Sequence, residues 1–150
     1  MHYKNIRAQV VNGFTLIEVA IAILIIAILA VAILQGIPNT LAKARDSRKK
    51  DQLSRYKTAF EDYYNDNACY PPSGTLADCN GKGLQPYLPK IVCDQNTIPY
   101  TYTPSADCRS YAIYTKLEVK DDPDIARAGC ANGCGPGGQY NYGVSNQKLQ

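Results

Sequence analysis

The sequence predicts an α+β fold, in which a long N-terminal α-helix, kinked near Gly36 and Pro38, packs its C-terminal half on a small antiparallel β-sheet cross-linked by disulfides. Three observations predict it. An apolar stretch near the N-terminus continues into an amphipathic helical pattern, short stretches of the C-terminal half favour strands, and all six cysteines follow residue 68. The 150 residues provide for about one ordinary domain.

The apolar stretch runs from Phe14 to Leu34 and reads FTLIEVAIAILIIAILAVAIL, with Glu18 as its sole charge. As a helix it is about 31 Å long, which matches a hydrocarbon core of about 30 Å. We therefore expect residues 14–35 to form a helix that spans a membrane or fills the core of an assembly. A secretory signal peptide fits less well, because the stretch is too long and no convincing A-x-A cleavage site follows it.

Gly36 and Pro38 interrupt the helical pattern directly after this stretch. Glycine adds backbone freedom, and proline lacks the N–H and clashes with the preceding turn. We predict a kink at this point, and the simple end of a membrane span is the alternative interpretation.

A second helical pattern covers residues 36–67. Leu53, Tyr56 and Phe60 recur at i, i+3 and i+7, which marks one apolar face of an amphipathic helix. We expect this face to hold the C-terminal domain.

A polar segment, ARDSRKKDQ at residues 44–52, lies within that helix. We expect it between membrane and head, with Asp46 and Lys50 as an i,i+4 ion pair. The net charge is only +3, and no aromatic residue lies between the basic ones. A solvated or intersubunit face is therefore a better interpretation than direct binding of nucleic acid or lipid headgroups.

Residues 68–150 are predicted to form a small head domain. Three stretches favour strands: Ile98–Thr103, Ser110–Val119 and Gln139–Val144. In the second, Tyr111 and Ile113 alternate with Ala112 and Tyr114, as in a half-buried strand.

The six cysteines of the head domain indicate an oxidising compartment and up to three disulfides. Nearest-neighbour pairing would join Cys69 to Cys79, Cys93 to Cys108, and Cys130 to Cys134. A zinc site is the weaker interpretation, because the only histidine is His2 and no second close cysteine pair accompanies the last two.

The remaining chemistry of the sequence is sparse. Asp121, Asp122 and Asp124 could ligate calcium through clustered carboxylates, although a solvated acidic turn is the commoner explanation. No nucleophile elbow, phosphate-binding loop or dinucleotide fingerprint is present. We therefore expect no enzyme activity and no cofactor.

The N-terminal residues carry a resemblance to a known family. A polar stretch ends in Gly13, and GFTLIEVAIAILIIAIL follows. This is similar to the prepilin signature of type IV pilins and type II secretion pseudopilins. The resemblance implies removal of residues 1–13 by a prepilin peptidase and N-methylation of Phe14. Asn12 departs from the pattern, since a basic residue is common there.

Glu18 is the acidic residue that this signature implies, and it also has a physical argument of its own. An unpaired carboxylate is costly in an apolar filament core. The ammonium of Phe14 on a neighbouring subunit is a natural partner, and such a pair would set the axial register during assembly.

These observations predict a structural subunit, a major pilin or a pseudopilin, that polymerises through its N-terminal helix. Its expected partners are copies of itself, the prepilin peptidase, a membrane assembly platform and the membrane. It would start as a membrane precursor and end in an extracellular pilus or a periplasmic or cell-wall pseudopilus. A membrane-tethered extracellular binding domain that does not polymerise is the alternative.

Overall fold

A computed structural model describes residues 13–95 and 97–149, and for residues 32 and 34–38 it describes the backbone alone. The predicted leader, residues 1–13, lies outside this range except for Gly13. The chain divides into two compact units, Met1–Pro38 and Asn39–Gln150.

Helix α1 extends over Leu16–Asn67, which is 52 residues, and contributes to both units. Thr15 precedes it, and the Glu18 N–H donates to the Thr15 carbonyl at 3.1 Å and to its Oγ1 at 3.4 Å. A threonine before the helix with a glutamate three residues later is the capping-box sequence.

The helix assignment continues through Gly36 and Pro38 without a break, and the kink predicted there stays a prediction. The sequence also predicts a membrane span over residues 14–35. Among the residues that the structure describes, no helix is both long enough and apolar enough to cross a membrane.

The core of the second unit lies between α1 and a sheet. The predicted apolar face of α1 is confirmed, since Leu53, Tyr56 and Phe60 are fully buried. The Phe60 ring packs edge-on against Tyr102 and Tyr111 of the sheet, at centroid distances of 4.9 and 5.0 Å. Aromatic pairs of this geometry add to the burial of apolar area.

Tyr56 buries a hydroxyl without leaving it unpaired. The hydroxyl donates to the Val92 carbonyl at 2.6 Å and accepts from the Val92 N–H at 2.7 Å. Burial raises the pKa of Tyr56 to about 12. The backbone of Val92 thus holds the long loop between α1 and the sheet against the helix.

The sheet has three antiparallel strands in the order β1, β2, β3. They are β1 Thr101–Pro104, β2 Tyr111–Thr115 and β3 Tyr142–Ser145. A short helix, α2, covers Pro123–Arg127, and one 3-10 turn covers Pro136–Gly138. The predicted fold class is confirmed, and each predicted strand exists with different ends.

The strand ends have physical reasons. Ile98 pairs with Asp94 in an isolated bridge, so the chain turns there and β1 starts later than predicted. The predicted second strand extended to Val119, but beyond Thr115 side chains take the backbone donors. Leu117 N–H donates to Asn141 at 2.7 Å, which removes it from the ladder.

The sheet is covered on both faces. Tyr111 and Ile113 are buried against α1, as the alternation predicts, but Tyr114 on the opposite face is buried as well. It packs with Tyr140 and with the disulfide-linked Cys130 and Cys134 in a second, smaller cluster. The C-terminal loop therefore covers the face of the sheet that points away from α1.

Three disulfides include all six cysteines: Cys69–Cys108, Cys79–Cys93 and Cys130–Cys134. The nearest-neighbour pairing is wrong for the first four cysteines and correct for the last two. Tyr70 N–H donates to the Cys108 carbonyl at 2.9 Å, which brings the chain after α1 against the connection of β1 and β2. The intervening loop closes on itself, with Asn80 N–H donating to the Ile91 carbonyl at 2.8 Å.

Candidate assembly surface

The predicted cleavage point lies just before α1. Residues 13–15 have no regular secondary structure, and Gly13 and Phe14 are exposed. A Cβ placed on Gly13 would meet no atom within 4 Å. A peptide bond in an exposed, irregular segment is accessible to a peptidase, because the chain can enter an active site without unwinding a helix.

The N-terminal part of α1 is apolar and exposed on all sides. Its large apolar side chains have relative accessibilities between 47% and 88%. They are Phe14, Leu16, Ile17, Val19, Ile21, Ile23, Leu24, Ile25, Ile26, Ile28, Leu29, Val31 and Ile33. A helix that is apolar all round is stable only when other apolar surfaces surround it. This part of α1 is therefore suited to burial against other apolar surfaces.

Glu18 is the one charged side chain between Phe14 and Ile33, and it is exposed. Within the described part of the chain, its carboxylate makes no hydrogen bond or ion pair. If the surrounding apolar surface becomes buried, this carboxylate is buried with it. A cationic partner from outside the chain then becomes necessary.

Comparisons with known proteins bear on this surface directly. A family model described as the prokaryotic N-terminal methylation motif matches residues 10–34. The fimbrial protein EcpC of Eikenella corrodens is 37% identical to the chain over 78 residues, covering 49% of the chain and 51% of that protein. In its N-terminal motif the chain is similar to type IV pilins. It spans about half the length of the curated relative it matches, and no solved structure matches the chain.

The residues that match the motif contain Gly13, Phe14 and Glu18. The motif and the fimbrial relative favour a structural role over a catalytic one. The predicted roles of these three residues in cleavage, N-methylation and assembly stay predictions.

The basic segment of α1 has a different place from the predicted one. Residues 44–52 do not lie outside the head domain but against it, through four side chains that we call the polar clamp: Arg45, Asp46, Lys49 and Lys50. Sequence reasoning missed the clamp, since its partners are more than 40 residues away along the chain.

Asp46 is the buried member of the polar clamp, with 1% of its surface exposed. Its carboxylate accepts from the N–H of Glu118 at 2.9 and 3.0 Å and from the N–H of Val119 at 2.9 Å. The predicted i,i+4 pair with Lys50 is therefore wrong. The backbone N–H groups beyond β2 have no acceptor in the sheet, and the Asp46 carboxylate serves as their acceptor instead.

Each cation of the polar clamp contacts its own set of partners in the head domain. Arg45 binds Glu118 through two hydrogen bonds, of 2.8 and 2.6 Å. Lys49 donates to the Lys116 carbonyl at 2.9 Å and lies 3.1 Å from Asp94. The Arg45 hydrogen bonds hold the pKa of the Glu118 carboxyl below its usual range.

Lys50 accounts for two of the three calcium candidates. Its ammonium lies 2.6 Å from Asp122 and from Asp124, and these hydrogen bonds hold the pKa of both carboxyls below their usual range. Asp122 also caps α2 by accepting from the Asp124 N–H. Asp121 is exposed. Among the described residues, no group of three or more acidic, histidine or cysteine side chains could hold a metal ion.

Proposed function

We propose that this chain is a structural subunit, a major pilin or a pseudopilin, that polymerises through the N-terminal part of α1. A prepilin peptidase would cut between Gly13 and Phe14, and Phe14 would then be N-methylated. The observation that carries the proposal is the exposed apolar part of α1 with Glu18 as its only charge. Copies of the chain, delivered from an assembly platform in the membrane, would bury this surface together.

Cleavage and assembly are chemically linked in this proposal. Hydrolysis of the Gly13–Phe14 bond creates an α-amino group on Phe14, which is cationic near neutral pH. Glu18 requires a cation once its apolar neighbours are buried. An uncleaved chain presents no such group at that position, so it should not assemble.

A substitution of Glu18 tests the proposal. We expect Glu18→Ala to abolish filaments while the chain is still produced and cleaved, because the apolar surface remains but the charge pair is lost. Asp51→Ala removes an exposed carboxylate of the same helix and should leave filament yield unchanged. Sheared extracellular material would be examined by electron microscopy, and normal filaments from Glu18→Ala would contradict the proposal.

Mass spectrometry separates this function from the alternative, a tethered binding domain that does not polymerise. Filament subunits should begin at an N-methylated Phe14. An intact N-terminus on a chain found only as a monomer would favour the tethered domain.

A further inference from the structure

The second unit carries opposite charges at two separate places. One is a set of cations that have no hydrogen-bond or ion-pair partner among the described residues, and the other is a pair of carboxylates at the end of α1. Both places belong to Asn39–Gln150, and each is described below before the two are related.

The basic place consists of Arg48, Lys116 and Lys120, which we call the basic collar. All three are exposed, and their side chains make no hydrogen bond or ion pair within the described residues. Lys116 and Lys120 line an open cavity of about 760 Å³, where Glu118, paired with Arg45, is the only acidic side chain among the described lining residues. Arg48 lines a neighbouring cavity of about 250 Å³ together with Asp51 and Asp94, whose carboxylates already pair with Arg55 and Lys49. The basic collar is therefore concave as well as cationic.

The acidic place is the exposed end of α1, with Asp62 and Asp66, which we call the acidic tip. These two carboxylates are four residues apart, and like charges at that spacing destabilise a helix. They also lie near the negative end of the helix dipole, and the last turn contains no basic residue. Both effects are unfavourable in the isolated chain and would be relieved by cations from outside.

The acidic tip has no described cation to relieve it. Asp66 accepts a hydrogen bond of 2.9 Å from the Tyr87 hydroxyl, a neutral donor. The Asp62 carboxylate has no hydrogen-bond or ion-pair partner among the described residues. Residues 65–68, which contain and follow Asp66, are all exposed, so the tip is accessible.

The two places cannot meet within one molecule. At about 1.5 Å per residue, roughly 27 Å of helix separate Arg48 from Asp66. The screening length is about 8 Å at physiological ionic strength, so attraction over that distance is negligible. Between copies, opposite charges on different surfaces can pair in a head-to-tail contact, and this contact is open-ended unless its rotation closes a ring.

We propose that the acidic tip of one copy docks into the basic collar of another, which makes this contact a second, electrostatic interface beside the apolar one. The inference rests on the proposed function, since an open-ended head-to-tail contact produces a filament. The occupant of the basic collar is thus a second copy of this chain, recognised by its carboxylates.

Charge reversal on the full-length chain tests the contact. We expect Arg48→Glu with Lys120→Glu to lower the pelletable filament fraction about tenfold, and Asp62→Lys with Asp66→Lys to do the same. The four changes together should restore the yield to within about threefold of the unmodified chain, because the pairs re-form with opposite polarity. Higher salt should weaken the unmodified filament and the fourfold variant alike.

Lys57→Glu with Lys148→Glu is the matched control, since it changes the net charge as much as the collar variant and both side chains are exposed. We expect its filament yield within about twofold of the unmodified chain. Thermal melting of each purified variant in detergent shows whether it is folded. A collar variant with the control's yield, or a fourfold variant no better than its parents, overturns the inference.

Two further outcomes separate this inference from its alternatives. Normal filaments from the collar variant, combined with lost binding of the subunit to phosphatidylglycerol vesicles, would assign the collar to lipid and overturn the inference. Failure of the unmodified chain to form any filament overturns the proposed function and this inference together. Loss of filaments in Glu18→Ala but not in the charge-reversed variants overturns this inference alone.

Discussion

Asp46 illustrates how this chain buries a charge. The carboxylate is enclosed by α1 and the segment that follows β2, and two backbone N–H groups supply its hydrogen bonds. Buried charges are tolerated where such bonds replace water. In return, Asp46 holds the end of β2 to the helix.

Replacing Asp46 measures this contact. Asp46→Ala leaves the N–H groups of Glu118 and Val119 without acceptors, and we expect a loss of about 2 to 3 kcal/mol in the free energy of unfolding. Asp51→Ala, which removes an exposed pair with Arg55, should cost under about 0.5 kcal/mol. Chemical denaturation of both variants gives the comparison, and equal losses would contradict the role assigned to Asp46.

At the residue scale, the sequence predicts the side chains that follow a local period. Leu53, Tyr56 and Phe60 were identifiable because a helix repeats every 3.6 residues. The partner of Asp46 was not, because a carboxylate four residues before a lysine indicates a local pair. The fold provides a competing partner 72 residues away, and no local pattern contains that information.

At the scale of elements, disulfides and short strands together stabilise the head domain. Strands of four or five residues form few ladder hydrogen bonds, so the connections between the strands contribute much of the stability of the fold. The disulfide Cys69–Cys108 joins the end of α1 to the connection of β1 and β2. It encloses Cys79–Cys93 within its loop.

Removing the disulfides one at a time measures how much each stabilises the head domain. The Cys69–Cys108 pair has a sequence separation of 39, and the Cys130–Cys134 pair one of 4. From chain entropy alone, paired Ser substitutions should cost about 4 and about 2 kcal/mol, respectively, because the longer loop gains more freedom in the unfolded chain. Urea denaturation checks the order, and a larger loss for the shorter loop would contradict it.

The existence of the three strands was predictable from β-forming residues between turns, but their ends were not. Hydrogen bonds from Leu117, Glu118 and Val119 to side chains end β2 early. Cysteine pairing was unpredictable for a similar reason. Sequence distance favours near neighbours, whereas the antiparallel pairing of β1 and β2 carries Cys108 back to the end of α1.

At the scale of the whole molecule, the polar clamp joins α1 to the head domain mainly by charge. Three of the carboxyls involved, Glu118, Asp122 and Asp124, have a pKa below the usual range because cations of α1 hydrogen-bond to them. A lowered pKa in the folded chain means that the contact is fully present above the ordinary carboxyl pKa of about 4. It is lost as the pH falls through the lower, folded value.

Lys50→Met tests this linkage. At pH 7 the variant should melt at a lower temperature than the unmodified chain, because Asp122 and Asp124 lose their cation. By pH 3 the difference should shrink, since protonation is then removing the same contact from the unmodified chain. Lys57→Met is the control, and a Lys50→Met difference that is constant from pH 7 to pH 3 would count against the linkage.

The nested disulfides also determine what a protease could achieve. The proposed extracellular filament would meet such enzymes, and the loop between α1 and β1 has exposed, irregular backbone at residues such as Ser73 and Gly74. A single cut anywhere between Cys69 and Cys108 would leave both pieces covalently joined. A cut subunit would thus keep its sheet covalently attached to α1.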